Sequence, residues 1–125
     1  MTTLLIVDDN PAMRQLVRQI TSKAGDEVYE CEDGDEVLAA YEEHRPEWVL
    51  MDVEMKRMDG LTATDLLVTR YPHAKVIIMT KYTDAETRSA AADAGAWAFC
   101  GKDDLISLRS LILSQSRLFG GQLRH

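Results

Sequence analysis

Short apolar segments alternate with helical patterns along the whole chain. Most of these segments are continuously apolar and end at a polar residue or glycine, which is typical of strands buried on both faces of a parallel sheet. One segment instead alternates weakly between polar and apolar residues, which favours a strand at the edge of the sheet. The predicted strands cover residues 4–7, 27–31, 48–52, 76–79 and 96–100, with 27–31 at the edge.

Helical spacing of apolar residues fills the intervals between the strands. Asn10-Pro11 predicts an N-cap followed by proline at the first helical position, and Gly25 is predicted to end that helix. Two capping boxes are predicted, one formed by Asp33 with Glu36 and one formed by Thr83 with Glu86. The other two helices are predicted over about 61–70 and 104–119, and the Thr83 helix is predicted to run to residue 95. The expected apolar faces are Met13, Leu16, Val17 and Ile20; Val37, Leu38 and Tyr41; and Leu105, Leu108, Leu111 and Ile112.

Five strands alternating with five helices predict an α/β fold with a doubly wound parallel sheet and helices on both faces. Right-handed crossovers leave few possible windings, and the strand order 2-1-3-4-5, the flavodoxin-like order, is the one we expect. No repeat, low-complexity segment or linker interrupts the pattern. We therefore expect one domain over residues 1–125.

Composition narrows the function further. The chain has 46% apolar and 28% charged residues with a net charge of -7, and its lysines and arginines are scattered, so direct binding of nucleic acid is not expected. Cys31 and Cys100 lack histidine neighbours at metal-ligand spacing and are expected to be buried thiols. The N-terminus does not resemble a signal peptide, and no apolar segment is long enough to span a membrane. A cytoplasmic location is therefore expected.

Polar side chains stand where four of the predicted strands end. In parallel sheets of this kind the carboxyl ends of the strands meet at one edge, and ligands bind there. Each residue alone has a local explanation, such as a turn, a cap or a solvated side chain. Together they predict a crevice that contains three carboxylates, a hydroxyl and an ammonium group: Asp8, Asp9, Asp52, Thr80 and Lys102.

Three adjacent carboxylates repel one another unless a cation joins them, and Mg²⁺ is the hard divalent ion that suits oxygen ligands and phosphate. An aspartate is already ionised in the cell, so it can attack phosphorus without a general base. The predicted chemistry is therefore formation of an aspartyl phosphate. Asp52 is the expected nucleophile, Lys102 and Thr80 are expected to contact phosphoryl oxygens, and Asp8 with Asp9 is expected to hold the metal.

The segments "LLIVDD", "VLMDVEMKRMDG", "VIIMT" and "GAWAFCGK" resemble the receiver domains of bacterial two-component response regulators over the whole chain. The resemblance implies that Asp52 is the phospho-acceptor and that the donor is a phosphohistidine on a sensor histidine kinase or a phosphotransfer protein. It also implies a metal site formed by Asp8, Asp9, Asp52 and the backbone carbonyl of Glu54, a phosphate-contacting Lys102, and a switch pair formed by Thr80 and Phe99.

The same resemblance implies how a signal leaves the site. Phosphorylation is expected to change the face formed by the fourth helix, the fifth strand and the fifth helix, which would contact a downstream protein or output domain or form a homodimer. The small side chains of "AAADAGA" (residues 90–96) could allow close approach there, or could simply pack the helix. Leu118 and Phe119 could be exposed or could complete the core.

Some positions depart from the family pattern. Lys56 stands where proline is usual, and Asp103 follows Lys102 where many receivers have proline, so a cis peptide is not expected there. The Lys-Asp pair is closest to receivers of regulators with a helix-turn-helix output, although no output domain is present in this sequence. Glu54 and Tyr82 are expected to tune the phosphoryl lifetime, with Tyr82 hindering the hydrolytic water and Glu54 orienting it. The alternative is that both are merely exposed loop residues.

Three other functions are compatible with parts of this pattern. A degenerate receiver could serve as a binding module that works without phosphorylation, but such modules usually lack the acceptor or an acid. A hydrolase of the haloacid dehalogenase type uses similar residues, yet it usually carries the nucleophile on its first strand. A flavodoxin would need a phosphate-binding loop after the first strand, and neither a G-x-G-x-x-G nor a Walker A motif is present.

Overall fold

The computed structural model describes residues 2–21 and 27–117. Within these residues the strands and helices alternate as the sequence predicts. The strands are β1 (Thr3–Val7), β2 (Glu27–Cys31), β3 (Trp48–Asp52), β4 (Val76–Thr80) and β5 (Ala98–Gly101). The helices are α1 (Pro11–Thr21), α2 (Val37–His44), α3 (Gly60–Arg70), α4 (Ala85–Asp93) and α5 (Leu105–Arg117), with a 3-10 turn at Gly34–Glu36 before α2.

The five strands form one parallel sheet in the order β2-β1-β3-β4-β5. The predicted α/β fold and strand order are therefore confirmed, as is the position of β2 at an edge. The strand order reverses between β1 and β3, which are neighbours in the sheet although β2 separates them in the chain. In such sheets the crevice at this reversal is where ligands bind.

The core consists of two layers, one on each face of the sheet. Because side chains alternate along a strand, Leu5 and Val7 of β1 face one layer, while Leu4 and Ile6 face the other. The first layer packs against α2, α3 and α4, and the second against α1 and α5. Continuous apolar strands are needed because both faces of the sheet are covered.

Helix starts show where local sequence patterns succeed and where they fail. Asn10 caps α1 as predicted, since its Oδ1 accepts the Ala12 N–H at 2.9 Å. The predicted Thr83/Glu86 capping box is wrong. Asp84 caps α4 instead, and its Oδ2 accepts the Thr87 N–H at 3.0 Å. A carboxylate accepts hydrogen bonds through two oxygens, and Asp84 uses the second one for the Thr87 hydroxyl at 2.9 Å.

Only half of the predicted Asp33/Glu36 capping box forms: Asp33 caps the 3-10 turn Gly34–Glu36, where its Oδ1 accepts the Asp35 N–H at 3.5 Å. Glu36 Oε1 accepts the Glu32 N–H at 3.4 Å rather than the N–H of Asp33, and α2 starts only at Val37. The fifth strand begins at Ala98, two residues later than predicted. Ala96 is excluded from the strand because its N–H bonds back to the Ala91 carbonyl at 3.1 Å, as part of the C-terminal end of α4.

Two leucines of the predicted apolar faces are largely exposed. Leu16 is 42% and Leu38 is 37% accessible, because each lies beside rather than on the stripe that meets the sheet. Both cysteines are buried and free, as predicted. The predictions for Gly25, Leu118 and Phe119 lie outside the described residues. Among the described helices, none is long and apolar enough to cross a membrane.

Candidate functional site: an acidic crevice at the carboxyl edge of the sheet

Strand register brings the polar strand ends to one edge of the sheet. Asp8 directly follows β1, and its N–H donates to the Cys31 carbonyl at 3.1 Å. Asp52 is level with Met79 of β4. Thr80, the next residue of β4, is level with Gly101 of β5, and Lys102 comes directly afterwards. Four strands that are separate in the sequence thus place a polar residue, at or just after their carboxyl ends, at the same edge of the sheet.

These residues line a cavity of about 240 Å³. Asp8 is fully buried and Asp52 is 5% accessible, whereas Asp9 is half-buried. One carboxylate oxygen from each of the three aspartates lies within 4.8 Å of the others. The cavity is lined by Asp8, Asp9, Asn10, Asp52, Glu54, Thr80, Lys81 and Lys102.

Lys102 is the cation that balances the buried carboxylates. Its Nζ lies 2.8 Å from Asp52 Oδ1 and 3.1 Å from Asp8 Oδ2. Burial alone would lower the pKa of Lys102, but its bonds to Asp52 and Asp8 outweigh burial and raise that pKa. The pKa of Asp52 is raised, first by burial and then by the Asp8 charge, although Lys102 opposes the rise. Lys102 is thus one ammonium group in contact with two of the three clustered carboxylates.

Two further contacts orient Asp8, and one of them comes from a residue that the sequence did not single out. The Asn10 N–H donates to Asp8 Oδ1 at 2.9 Å. Arg14, on α1, donates from Nη1 to the Asp8 carbonyl at 2.7 Å and from Nε to Glu30 of β2 at 2.8 Å. The helical pattern places Arg14 near the start of α1, but nothing in the sequence marks a backbone carbonyl as its partner.

Thr80 is buried beside the carboxylates, at 1% accessibility. Its Oγ1 accepts the Tyr82 N–H at 3.0 Å, and its carbonyl accepts the Lys102 N–H at 2.7 Å. Phe99 does not line the crevice. It lies on β5 level with Ile78, packs in the layer that meets α4, and has the Arg88 guanidinium 4.5 Å from its ring centroid.

Glu54 lines the crevice, and Tyr82, which is not among the lining residues, contacts Glu54. The Tyr82 hydroxyl donates to Glu54 Oε2 at 3.3 Å, and Lys81 Nζ lies 3.8 Å from Glu54 Oε1. Tyr82 is 43% accessible. The two residues for which opposite effects on hydrolysis are predicted are thus in direct contact with each other.

Gly60 brings the start of α3 against the end of β3. Its N–H donates to the Val53 carbonyl at 2.8 Å. A Cβ at this position would lie 1.9 Å from the Asp52 carbonyl oxygen, so a larger residue would push α3 away from the strand. Lys56 lies exposed in the loop that this contact closes. The structure has no cis peptide bond among its described residues, which includes the Lys102–Asp103 bond.

Comparison with known families identifies this arrangement. The family model described as "Response regulator receiver domain" matches residues 4–112. The chain belongs to this receiver family. Its curated relatives include the chemotaxis protein CheY of Bacillus subtilis, which is 36% identical over 100 residues that cover 79% of this chain and 83% of that protein.

Solved receivers share the fold over almost their full length. Chemotaxis protein CheY4 of Vibrio cholerae matches with a TM-score of 0.80 and 26% identity, covering 90% of this receiver and 99% of that chain. A CheX–CheY–BeF3–Mg complex from Borrelia burgdorferi matches with a TM-score of 0.82 and 26% identity, covering 93% of this receiver and 88% of that chain.

Other relatives are much longer proteins. A protein-glutamate methylesterase/protein-glutamine glutaminase of Hahella chejuensis is 38% identical over 96 residues, which make up 74% of this receiver but 28% of that protein. In two further relatives the matched residues make up 27% and 48% of the length of the relative. This receiver therefore spans between about a quarter and a half of the length of the first curated relatives that it matches.

The donor set of this receiver fits a hard divalent cation. Carboxylate oxygens are the ligands that Mg²⁺ and Ca²⁺ prefer, and Mg²⁺ is usually held by only one or two carboxylates together with water and phosphate oxygens. Asp8 and Asp9 could hold such an ion beside Asp52, since one carboxylate oxygen from each of the three residues lies within 4.8 Å of the others. Receivers in general bind Mg²⁺ at an acidic pocket and support phosphorylation-dependent signalling, and most are phospho-acceptors rather than enzymes.

Proposed function

We propose that this receiver accepts a phosphoryl group on Asp52, with Mg²⁺ bound, and then changes the face formed by α4, β5 and α5. The observation that supports this most directly is the contact of Lys102 Nζ with Asp52 at 2.8 Å, inside a crevice that also contains Asp8 and Asp9. The match to a solved CheX–CheY–BeF3–Mg complex supports the same assignment of acceptor chemistry and metal.

Asp8, Asp9, Asp52 and the backbone carbonyl of Glu54 are the proposed ligands. When bound, Mg²⁺ supplies positive charge that draws together the acceptor carboxylate and the oxygens of the incoming phosphoryl group. Lys102 supplies further positive charge beside the acceptor. Its ammonium group contacts both Asp8 and Asp52, so it can exchange the Asp8 contact for a phosphoryl oxygen and stay near Asp52.

In the transfer step an Asp52 carboxylate oxygen attacks phosphorus, forming an O–P bond. The P–N bond of a phosphohistidine on a sensor histidine kinase or phosphotransfer protein breaks, and its electron pair returns to the imidazole nitrogen. The Thr80 hydroxyl currently accepts the Tyr82 N–H, so its own proton can be donated to a phosphoryl oxygen. The new acyl phosphate is later hydrolysed by water, a reaction we propose Tyr82 and Glu54 to regulate.

The output is proposed to depend on Thr80 and Phe99. Movement of the Thr80 hydroxyl toward the phosphoryl group would leave space for the Phe99 ring to turn inward. Phe99 borders a cavity of about 150 Å³ between α4 and β5, so its rotation would alter that surface. We propose that a downstream protein, an output domain or a second copy of this chain binds there, and that residues 1–125 act as one receiver domain.

The test is to incubate the purified protein with acetyl phosphate, with and without Mg²⁺, and to record its intact mass. We expect a gain of one phosphoryl group that requires Mg²⁺. If no gain occurs with acetyl phosphate or with a phosphorylated histidine kinase, the phospho-acceptor proposal fails. The protein would then be a binding module that works without phosphorylation.

A further inference from the structure

Asp33 lies outside the acidic crevice, yet it bonds to the loop that leaves the crevice. It stands between β2 and α2 and is 1% accessible. Its Oδ2 accepts the Arg57 N–H at 2.9 Å, and its Oδ1 accepts the Met58 N–H at 2.8 Å. A third contact, from the Asp35 N–H, is long at 3.5 Å. One buried carboxylate therefore binds two consecutive backbone amides of a loop that lies 24 and 25 residues further along the chain.

That loop, residues 53–59, connects Asp52 to α3. Its base is closed by the hydrogen bond from the Gly60 N–H to the Val53 carbonyl at 2.8 Å. Its far end is held by Asp33 at the amides of Arg57 and Met58. Glu54, the proposed carbonyl ligand, lies between these two points of attachment. The position of the Glu54 backbone therefore depends on both of them.

The turn and the loop are also in direct backbone contact. A Cβ at Gly34 would lie 2.5 Å from the Met58 carbonyl oxygen, so the residue after Asp33 must be glycine for the two segments to approach this closely. The Arg57 side chain adds an exposed contact, with Nε 2.7 Å from Asp35 Oδ2 and Nη2 3.0 Å from Glu36 Oε2. The buried backbone bonds and the exposed ion pairs can be separated by substitution.

The charge of Asp33 is maintained despite burial. Burial alone would raise the pKa of this carboxyl group, but the hydrogen bonds from the backbone of Arg57 and Met58 outweigh burial and lower that pKa. An ionised carboxylate only accepts hydrogen bonds, so both oxygens suit the two amides. An asparagine of the same shape would present one NH₂ group to an N–H donor.

We infer that Asp33 is a positioning residue for the metal site and acts through the 53–59 loop, by holding the loop backbone where the Glu54 carbonyl can reach the cation. This inference rests on the proposed function. Groups that orient metal ligands typically change metal affinity about 10- to 100-fold when they are replaced. Asp33 is not itself among the crevice-lining residues, so its effect on binding is indirect.

The test compares Asp33→Asn with Asp35→Asn. Both variants remove one carboxylate from the same turn and leave every crevice residue unchanged, but only Asp33→Asn breaks a backbone bond to the loop. Isothermal titration with Mg²⁺ alone, without a phosphoryl donor, is expected to show a dissociation constant raised at least about tenfold in Asp33→Asn. Asp35→Asn is expected to bind Mg²⁺ within about twofold of the wild-type protein, since exposed ion pairs contribute little.

A second measurement uses the wild-type protein, so it does not depend on the folding of any variant. If Mg²⁺ binding and the Asp33 bonds are coupled, the coupling is reciprocal. Saturating Mg²⁺ is then expected to slow hydrogen exchange of the Arg57 and Met58 amides. The Thr87 amide, which bonds to Asp84 on α4, is the control and is expected to exchange at an unchanged rate.

The outcomes separate this inference from the proposed function. If the wild-type protein binds Mg²⁺ while Asp33→Asn binds it equally well, or if Mg²⁺ leaves the Arg57 and Met58 exchange rates unchanged, Asp33 has only a structural role and the inference is overturned. If the wild-type protein binds no Mg²⁺, both the inference and the proposed metal site are overturned. Phosphorylation of Asp52 is measured separately by mass.

Discussion

The loops that follow β3 and β4 begin alike and are held differently. Each leaves its strand at a crevice residue, Asp52 or Thr80, and each ends at an aspartate that caps the next helix, Asp59 or Asp84. The first loop is attached through backbone groups to buried Asp33 and to the start of α3. The second loop, residues 81–84, is exposed throughout. Its described contacts to the first loop are those of the Tyr82 and Lys81 side chains with Glu54.

This difference suggests a division of labour between the two sides of the crevice. Buried hydrogen bonds to a charged group are worth about 1.5–3 kcal/mol, whereas exposed ion pairs are worth roughly 0–1 kcal/mol. Displacing the first loop is therefore expensive in free energy, and displacing the second is not. The proposed acceptor and the proposed metal ligands need a constant geometry, while the proposed output needs a segment that can move. The structure places Asp52 beside the first kind of loop and Thr80 beside the second.

The largest effect is expected from replacing the crevice residue at the start of each loop, Asp52 or Thr80. Asp52→Asn is expected to abolish the Mg²⁺-dependent mass gain from acetyl phosphate, because an amide cannot act as the nucleophile. Thr80→Ala is expected to retain labelling, with a rate lowered by roughly tenfold for one lost hydrogen bond to a charged group. It should also lose the Phe99 response, which can be followed by aromatic NMR of the phosphorylated protein. Retained labelling of Asp52→Asn would move the acceptor elsewhere.

The sequence was sufficient to predict which residues at the ends of the strands meet in the crevice. Asp8, Asp52 and Thr80 each follow a continuously apolar run, and the known behaviour of parallel sheets brings such residues to one edge. The alternation of strands and helices predicted a parallel sheet, right-handed crossovers left few windings, and the flavodoxin-like order was the one expected among them. These inferences depend on patterns that a few consecutive residues display.

The hydrogen bonds from Asp33 that hold the first loop could not be predicted in that way. Asp33 matches the sequence of a capping box, but its carboxylate binds amides that lie 24 and 25 residues away. Backbone N–H groups have no signature in the sequence, so the partner of such a carboxylate is visible only in the fold. Arg14 was missed for the same reason, since its partner is the carbonyl of Asp8.

A smaller effect is expected from the contact that joins the two loops. Tyr82→Ala removes the ring beside crevice-lining Glu54, so we expect water to reach the acyl phosphate more easily and the phosphorylated half-life to fall several-fold. Tyr82→Phe is the matched control, because it keeps the ring and loses only the bond to Glu54 at 3.3 Å. An unchanged half-life in Tyr82→Ala would contradict the shielding role, and a shortened one in Tyr82→Phe would assign the effect to the hydrogen bond.

The Asp33 carboxylate that holds the first loop should also make the free energy of unfolding depend on pH. Because the folded-state pKa of Asp33 is lowered, its ionised form stabilises the fold above the ordinary aspartate value of 3.8, and this stabilisation is lost as the pH falls through the lower folded value. At neutral pH we expect Asp33→Asn to lose about 2 kcal/mol of unfolding free energy. Urea titrations should show the difference from wild type shrinking only below about pH 4. A difference that is constant with pH would mean that the charge of Asp33 is irrelevant.

The smallest effect is expected from replacing the aspartates that cap α3 and α4. These replacements test whether the two loops differ in more than their cap bonds. Asp59 and Asp84 make the same pair of bonds, each accepting the N–H and the hydroxyl of a threonine three residues later, at 2.8 and 3.0 Å for Thr62 and at 3.0 and 2.9 Å for Thr87. Asp59→Ala is expected to lower stability by about 1 kcal/mol, or about 4 °C in Tm. The local cap bonds are equal, so any difference between Asp59→Ala and Asp84→Ala must come from what each loop is attached to.

We expect Asp84→Ala to lower Tm no more than Asp59→Ala, yet to increase hydrogen exchange across the start of α4 more than Asp59→Ala does across the start of α3. After loss of its cap, α3 is still held by the Gly60 N–H bond to Val53, whereas α4 follows a loop whose residues 81–84 are all exposed. Equal exchange at both helix starts would show that the Gly60–Val53 hydrogen bond does not stabilise the start of α3. The contrast between a fixed and a movable side of the crevice would then lose that part of its energetic basis.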